Sequence, residues 1–239
     1  MPSERGATLP TYDFNALMAA SEKKSRVRKA LKLVLFRAPF DADVADLATG
    51  YLDPTDRTKI NLELMTIWTP YGILSRDGIS GETNVNVEPT EGYNYGEPVR
   101  EDFTSAEREL SFTLIEDFTR IALETQTGMD LSGVVPDEFG GIAFDESSIP
   151  APPFYRILGL SQDFFMGQAA KPIYEVNLWP STRQKSLPNF SRSQGSEQST
   201  EVTYTVYTDE NLGTPRRRWI GGTGYDASSH GFTTAPTAP

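Results

Sequence analysis

Apolar and polar residues alternate with period two along several stretches of the chain, the pattern of half-buried β-strands. Residues 30–37 (ALKLVLFR) place Leu31, Leu33 and Leu35 on one face. A second strand is predicted over residues 64–74, interrupted by Pro70, and a turn at Arg76-Asp77-Gly78 leads into a third over 82–88. In that third segment Val85 and Val87 share a face with Thr83 and alternate with Asn84, Asn86 and Glu88. The clearest strand signal is residues 107–116, where Leu110, Phe112 and Leu114 point one way and Glu109, Ser111 and Thr113 the other. The period then changes. Phe118, Ile121, Ala122 and Thr125 recur at helical spacing over 117–127, with Gly128 as the stop signal. Residues 129–153 read as a Gly- and Pro-containing loop. Strands follow over 154–161, 173–179 and 201–208, the last with Val202, Tyr204 and Val206 on one face. A turn at 211–215 leads into a final strand over 216–220. The expected fold is mainly β: an antiparallel sandwich or partial barrel with one flanking helix and long terminal arms.

The punctuation divides the 239 residues into an N-terminal arm (1–28, with a short helical pattern around 14–20), a β domain (29–225) and a C-terminal tail (226–239). Two long polar loops, 39–63 and 183–199, interrupt the domain, and loops of such length are commonly functional or mobile. Aromatic residues at 11% allow a core, although the hydrophobic share is only 38%. The absence of cysteine and the presence of one histidine exclude disulfides and Cys/His zinc sites. No apolar run reaches the ~18 residues of a membrane span, and the first residues lack a signal peptide's order, so the expectation is a soluble, non-secreted protein. Net charge is −11, spread unevenly: +5 over residues 1–40, −17 over 41–150 and +1 over 151–239. An acidic middle of this size argues against gripping nucleic acid, which needs clustered Lys and Arg.

Candidate chemistry is sparse. There is no nucleophile elbow, P-loop, dinucleotide fingerprint or zinc-protease motif. His230 lies in the tail with nothing evident to orient it. Carboxylate pairs such as Glu101/Asp102, Glu116/Asp117 and Asp137/Glu138 are expected by chance among thirty-three acids. Asp41, Asp43 and Asp46 lack the spacing of a calcium loop and read as solvated. Arg216, Arg217 and Arg218 read as a surface rim pairing with acids of this or a neighbouring chain, and Trp68, Trp179 and Trp219 as core residues rather than a sugar-stacking platform. No catalytic, cofactor-binding or metal-ligating residue is expected, and the chain is not expected to be an enzyme. Long arms, charged loops and a modest core suit a subunit whose edges neighbours complete.

In the order of its segments the chain resembles the major tail tube proteins of long-tailed, non-contractile bacteriophages of actinobacterial hosts. The resemblance is carried by the strand and turn at 71–79, Pro98-Val99-Arg100, ERELSFTLIEDFTRIALE at 107–124, PFYRILGLS at 153–161, IYEVNLWP at 173–180 and GTPRRRWIGG at 213–222. It spans about residues 29–225. It implies a structural virion protein, assembled in the host cytoplasm, whose hexameric rings stack into the hollow tube that conducts phage DNA. The implied partners are further copies of itself, the tape measure protein, the tail terminator and distal-tail or baseplate proteins. Double-stranded DNA would pass without specific binding, and no cofactor or membrane is involved. Alternatives are a tail-completion or distal-tail ring protein and a carbohydrate-binding β-sandwich. On this reading Thr83, Asn86, Glu88, Glu201, Thr203 and Thr205 are expected to line the bore. Arg26, Arg28, Lys29, Asp41, Asp43, Asp46, Asp53, Asp56, Arg216, Arg217 and Arg218 are expected between subunits or rings, with the basic arm of one ring meeting the acidic middle of the next.

Overall fold

A computed structural model describes residues 27–44, 56, 59, 66–116, 118–165, 168–188 and 198–233. Residues 1–26 of the expected arm, Arg26, Asp46, Asp53 and residues 189–197 of the loop 183–199 lie outside these residues. The protein is mainly β, with eight strands in one open antiparallel sheet. In chain order these are β1 (Lys32–Pro39), β2 (Thr69–Pro70), β3 (Leu74–Glu91), β4 (Pro98–Leu114), β5 (Phe154–Phe164), β6 (Pro172–Gln184), β7 (Thr200–Tyr207) and β8 (Arg217–Gly221). A single α-helix among the described residues, α1 (Arg120–Thr127), follows β4. The strand order is β2-β1-β5-β6-β7-β4-β3, with β8 attached to β6 beside the path.

Two apolar clusters use the two faces of the sheet. On one face Leu35 of β1, Leu110, Phe112 and Leu114 of β4, Ile157 of β5, Trp179 of β6 and Val202, Tyr204 and Val206 of β7 form a single core with Ile121 of α1. Strands at opposite ends of the hydrogen-bonded order therefore share one interior, so the sheet is strongly coiled. Residues 71–73 reinforce the coil: Tyr71 N–H donates to Leu35 O (2.9 Å) and Ile73 O accepts from Ile115 N–H (2.9 Å). On the other face Ala38, Leu158, Leu160, Val176 and Leu178 are covered by Val44, Trp68 and Trp219. Long β6 serves both neighbours in turn, pairing with β8 over Tyr174–Leu178 and with β7 over Ser181–Gln184. Pro180 lies at the change of partner, where its missing N–H costs no ladder bond.

Most predicted strands and the helix are found, whereas several boundaries move, and the strand expected over 64–74 is reduced among the described residues to Thr69–Pro70 and the start of β3 at Leu74. The alternation of β4 and β7 is realised with Leu110, Phe112, Leu114, Val202, Tyr204 and Val206 all buried. Residues 183 and 184, expected in the long loop, extend β6. The expected turn at 76–78 is an irregularity within β3: Leu74 pairs with Leu114 and Ile79 with Phe112, and Gly78 takes φ 70°. Phe118, expected on the helix face, lies outside α1 and is exposed. Thr119 caps the helix instead, its hydroxyl accepting from Ala122 N–H at 3.2 Å, and Gly128 closes it in the left-handed region at φ 66°.

Two ion pairs are buried inside this framework. Arg37 continues the core face of β1 and pairs with Glu124 of α1, tying the helix to the sheet. Glu124 also accepts from Leu131 N–H, and the Arg37 guanidinium lies over the ring of Tyr155 at 4.5 Å. Arg156 meets Asp209 at 2.9 Å and donates to Pro180 O.

Candidate functional site

The largest departure from a self-contained fold is the hairpin of β3 and β4. Only Arg108–Leu114 of β4 pairs with β7; farther out β3 and β4 pair with each other alone. From Ser80 to Glu91 every residue of β3 is exposed. Residues 82–107 thus form a two-stranded ribbon, which at ~3.3 Å per residue reaches roughly 30 Å beyond the body.

The ribbon is amphipathic. The pairings Thr83↔Arg108, Val85↔Ala106, Val87↔Phe103 and Pro89↔Glu101 fall on the face that continues the core. Ser80↔Ser111, Glu82↔Glu109, Asn84↔Glu107, Asn86↔Ser105 and Glu88↔Asp102 fall on the other. A register shift beside Asn86 keeps the two faces in phase, because Ala106 and Phe103 lie three apart in sequence yet both oppose valines of β3. The polar face continues across the body through Glu109↔Thr205, Ser111↔Thr203 and Thr113↔Glu201, then to Arg183 opposite Thr205.

Five of the six residues expected to line a bore therefore share one face: Asn86, Glu88, Glu201, Thr203 and Thr205. Thr83 is placed on the opposite, apolar side, as its period with Val85 and Val87 requires. The polar face carries six carboxylates (Glu82, Glu88, Asp102, Glu107, Glu109, Glu201) and three cations (Arg100, Arg183, Lys185). Hydrogen bonds knit it together: Asn86 Nδ2 donates to Ser105 Oγ at 2.8 Å, Ser111 and Thr203 hydroxyls meet at 2.9 Å, and Lys185 Nζ donates to Glu109. The Glu109 contact raises the Lys185 pKa.

The candidate inter-subunit residues are scattered rather than gathered. Arg28 lies over the Phe165 ring at 5.8 Å, and Lys29 N–H donates to Asp163. Asp41 and Asp43 are exposed, and Asp56 pairs with Lys59 at 3.0 Å. Arg216 donates to Asn177 Oδ1 (2.6 and 3.1 Å), and Arg218 pairs with Glu175 at 2.9 Å; Arg217 follows in β8. Two arginines of the expected rim thus find partners within this chain. His230 ends a short 3₁₀ turn, its Nδ1 2.7 Å from Asp226 O and its ring beside Tyr225. Trp68 and Trp179 are buried and Trp219 packs on the second core, leaving no exposed tryptophan platform among the described residues. Among those residues no group of three or more His, Asp or Glu is placed to hold a metal ion, and no helix is long and apolar enough to cross a membrane.

Residues 89–106 carried no strand signal, and the reason is local. The register shifts beside Asn86 and Thr90 break the alternation, and Tyr93, Tyr95, Val99, Phe103 and Ala106 keep no period of two there. Compared with known proteins, the chain matches no family model and no curated protein in sequence.

Proposed function

We propose that the chain is a structural subunit that self-assembles into stacked rings around a hollow passage, as a tail tube protein of a long-tailed phage does. The observation that supports this most is the bare ribbon. A two-stranded hairpin alone in water is marginal, and one face of this one presents Val85, Val87 and Phe103, the last 79% exposed. Such a ribbon gains its stability when another surface covers it. Among the described residues the outer edge of β3 and the two-residue β2 end the sheet with no further strand, and cyclic closure removes such edges.

The polar face supplies the second half of the reading. Its acids and hydroxyls lie in rows across three strands, and a passage lined by them repels phosphate and holds no DNA. Tape measure, terminator and distal-tail proteins are the partners this role requires, and the finer fold it implies is the tail-tube sandwich or partial barrel. A ring-forming completion protein would use the same ribbon, so the form of the assembly separates the two. Electron microscopy of the purified chain is expected to show hollow tubes of stacked rings. Single rings alone would favour the completion protein, and dispersed monomers at high concentration would contradict both.

A further inference from the structure

The molecule exposes a groove as well as a ribbon. It opens between the inner face of β1, β5 and β6 and the first residues of β3, with a volume of about 700 Å³. Gly159 lies in its floor, where a Cβ would press on the Trp179 ring at 3.2 Å and touch Ile79 at 3.5 Å. Its rim carries Leu31 (56% exposed) and Ile73 (59% exposed), Leu33 and Ile79 lie deeper, and Ser161, Glu175, Asn177 and Arg216 add a polar side to the lining.

We propose that this groove receives the apolar face of the ribbon from a second copy of the chain, with Phe103 as the anchor. The proposal rests on the reading of the chain as an assembling subunit and names the two surfaces that meet. The charges match. The groove wall carries Arg76 and Asp77, and the ribbon's apolar face carries Glu101 beyond Phe103 and Arg108 at its base. None of these four has an ion-pair partner among the described residues. A chain cannot fill its own groove this way, because β3 forms the groove wall at residues 75–81 and then leaves the body as the ribbon. Ribbon and groove are different surfaces, so each copy has one free ribbon and one free groove. Such a contact is heterologous and closes into a ring or propagates as a filament.

The natural absence of cysteine makes the test direct. Phe103→Cys and Ile73→Cys are prepared as separate proteins, mixed, allowed to assemble and oxidised. The expected product is a covalent dimer containing one of each, while each variant alone gives none. The variant carrying both substitutions is expected to give a ladder of linked chains, and removing residues 1–26 is expected to leave the linkage intact. Charge exchange supplies a readout that does not depend on thiols: Glu101→Arg is expected to weaken assembly at least tenfold, and Arg76→Glu in the same chain to restore it. Rings or tubes that form without the mixed dimer would overturn the docking while leaving the tube reading standing. Linkage that is absent in the full chain and appears only once residues 1–26 are removed would assign the groove to that segment and likewise overturn the docking. Failure of the unaltered protein to assemble at all would remove both.

Discussion

Arg37 and Asp209 show how individual residues hold this sheet. Arg37 sits where the period of β1 calls for an apolar side chain, and it is tolerated because Glu124 meets it across the core boundary. Arg120 also lies 3.7 Å from Glu124 but is half exposed, and breaking a buried pair from one side costs about 3–5 kcal/mol. Arg37→Met is therefore expected to lower the urea midpoint sharply, whereas Arg37→Met with Glu124→Leu recovers most of the loss; equal midpoints for wild type and single variant would contradict this. At Asp209 burial pushes the carboxyl up, but bonds from Leu212 N–H, Arg156 and Asn211 N–H more than offset it, and its pKa falls below the usual carboxylate value. A carboxylate depressed on folding adds stability above its unfolded pKa and loses it as pH falls through the folded one. Acid titration of unfolding is accordingly expected to show stability falling below about pH 4, with a shallower fall in Asp209→Asn, which starts less stable. An identical acid profile in that variant would refute the assignment.

At the level of elements, the helix is stopped by geometry rather than by loss of its apolar stripe. Gly128 at φ 66° donates its N–H to Glu124 O, and a Cβ there would lie 2.7 Å from Leu187. Gly128→Ala is expected to cost about 1 kcal/mol or more, read as a lower thermal midpoint with unchanged β-sheet circular dichroism; a rise would show the left-handed cap to be dispensable. The elements with clean periods were legible in advance: β4 from residue 107, β7 and α1 each rest on uninterrupted alternation or helical spacing. The ribbon was not, because the shifts beside Asn86 and Thr90 change the phase of β4 midway and hide a second amphipathic strand behind polar residues. Thr83 illustrates the limit from the other side. Its period with the valines already sets it opposite Asn86 and Glu88, and the pairing with β4 adds which of the two faces continues the core.

At the scale of the molecule, the described residues leave three things unfinished: a groove with an apolar rim, a ribbon face carrying Val85, Val87 and Phe103, and a long edge of β3 with no further strand. The polar face does not share this character, since its hydroxyls and carboxylates are knit across strands and face water without cost. On the proposed reading, contact between copies covers the bare face. Sedimentation velocity of the unaltered chain beside one in which residues 82–107 are replaced by a short turn tests this directly. The unaltered chain is expected to sediment as large assemblies and the shortened one as a folded monomer with intact near-ultraviolet circular dichroism. A monomeric unaltered chain at the highest attainable concentration, with the ribbon's backbone amides protected from hydrogen exchange, would contradict the account.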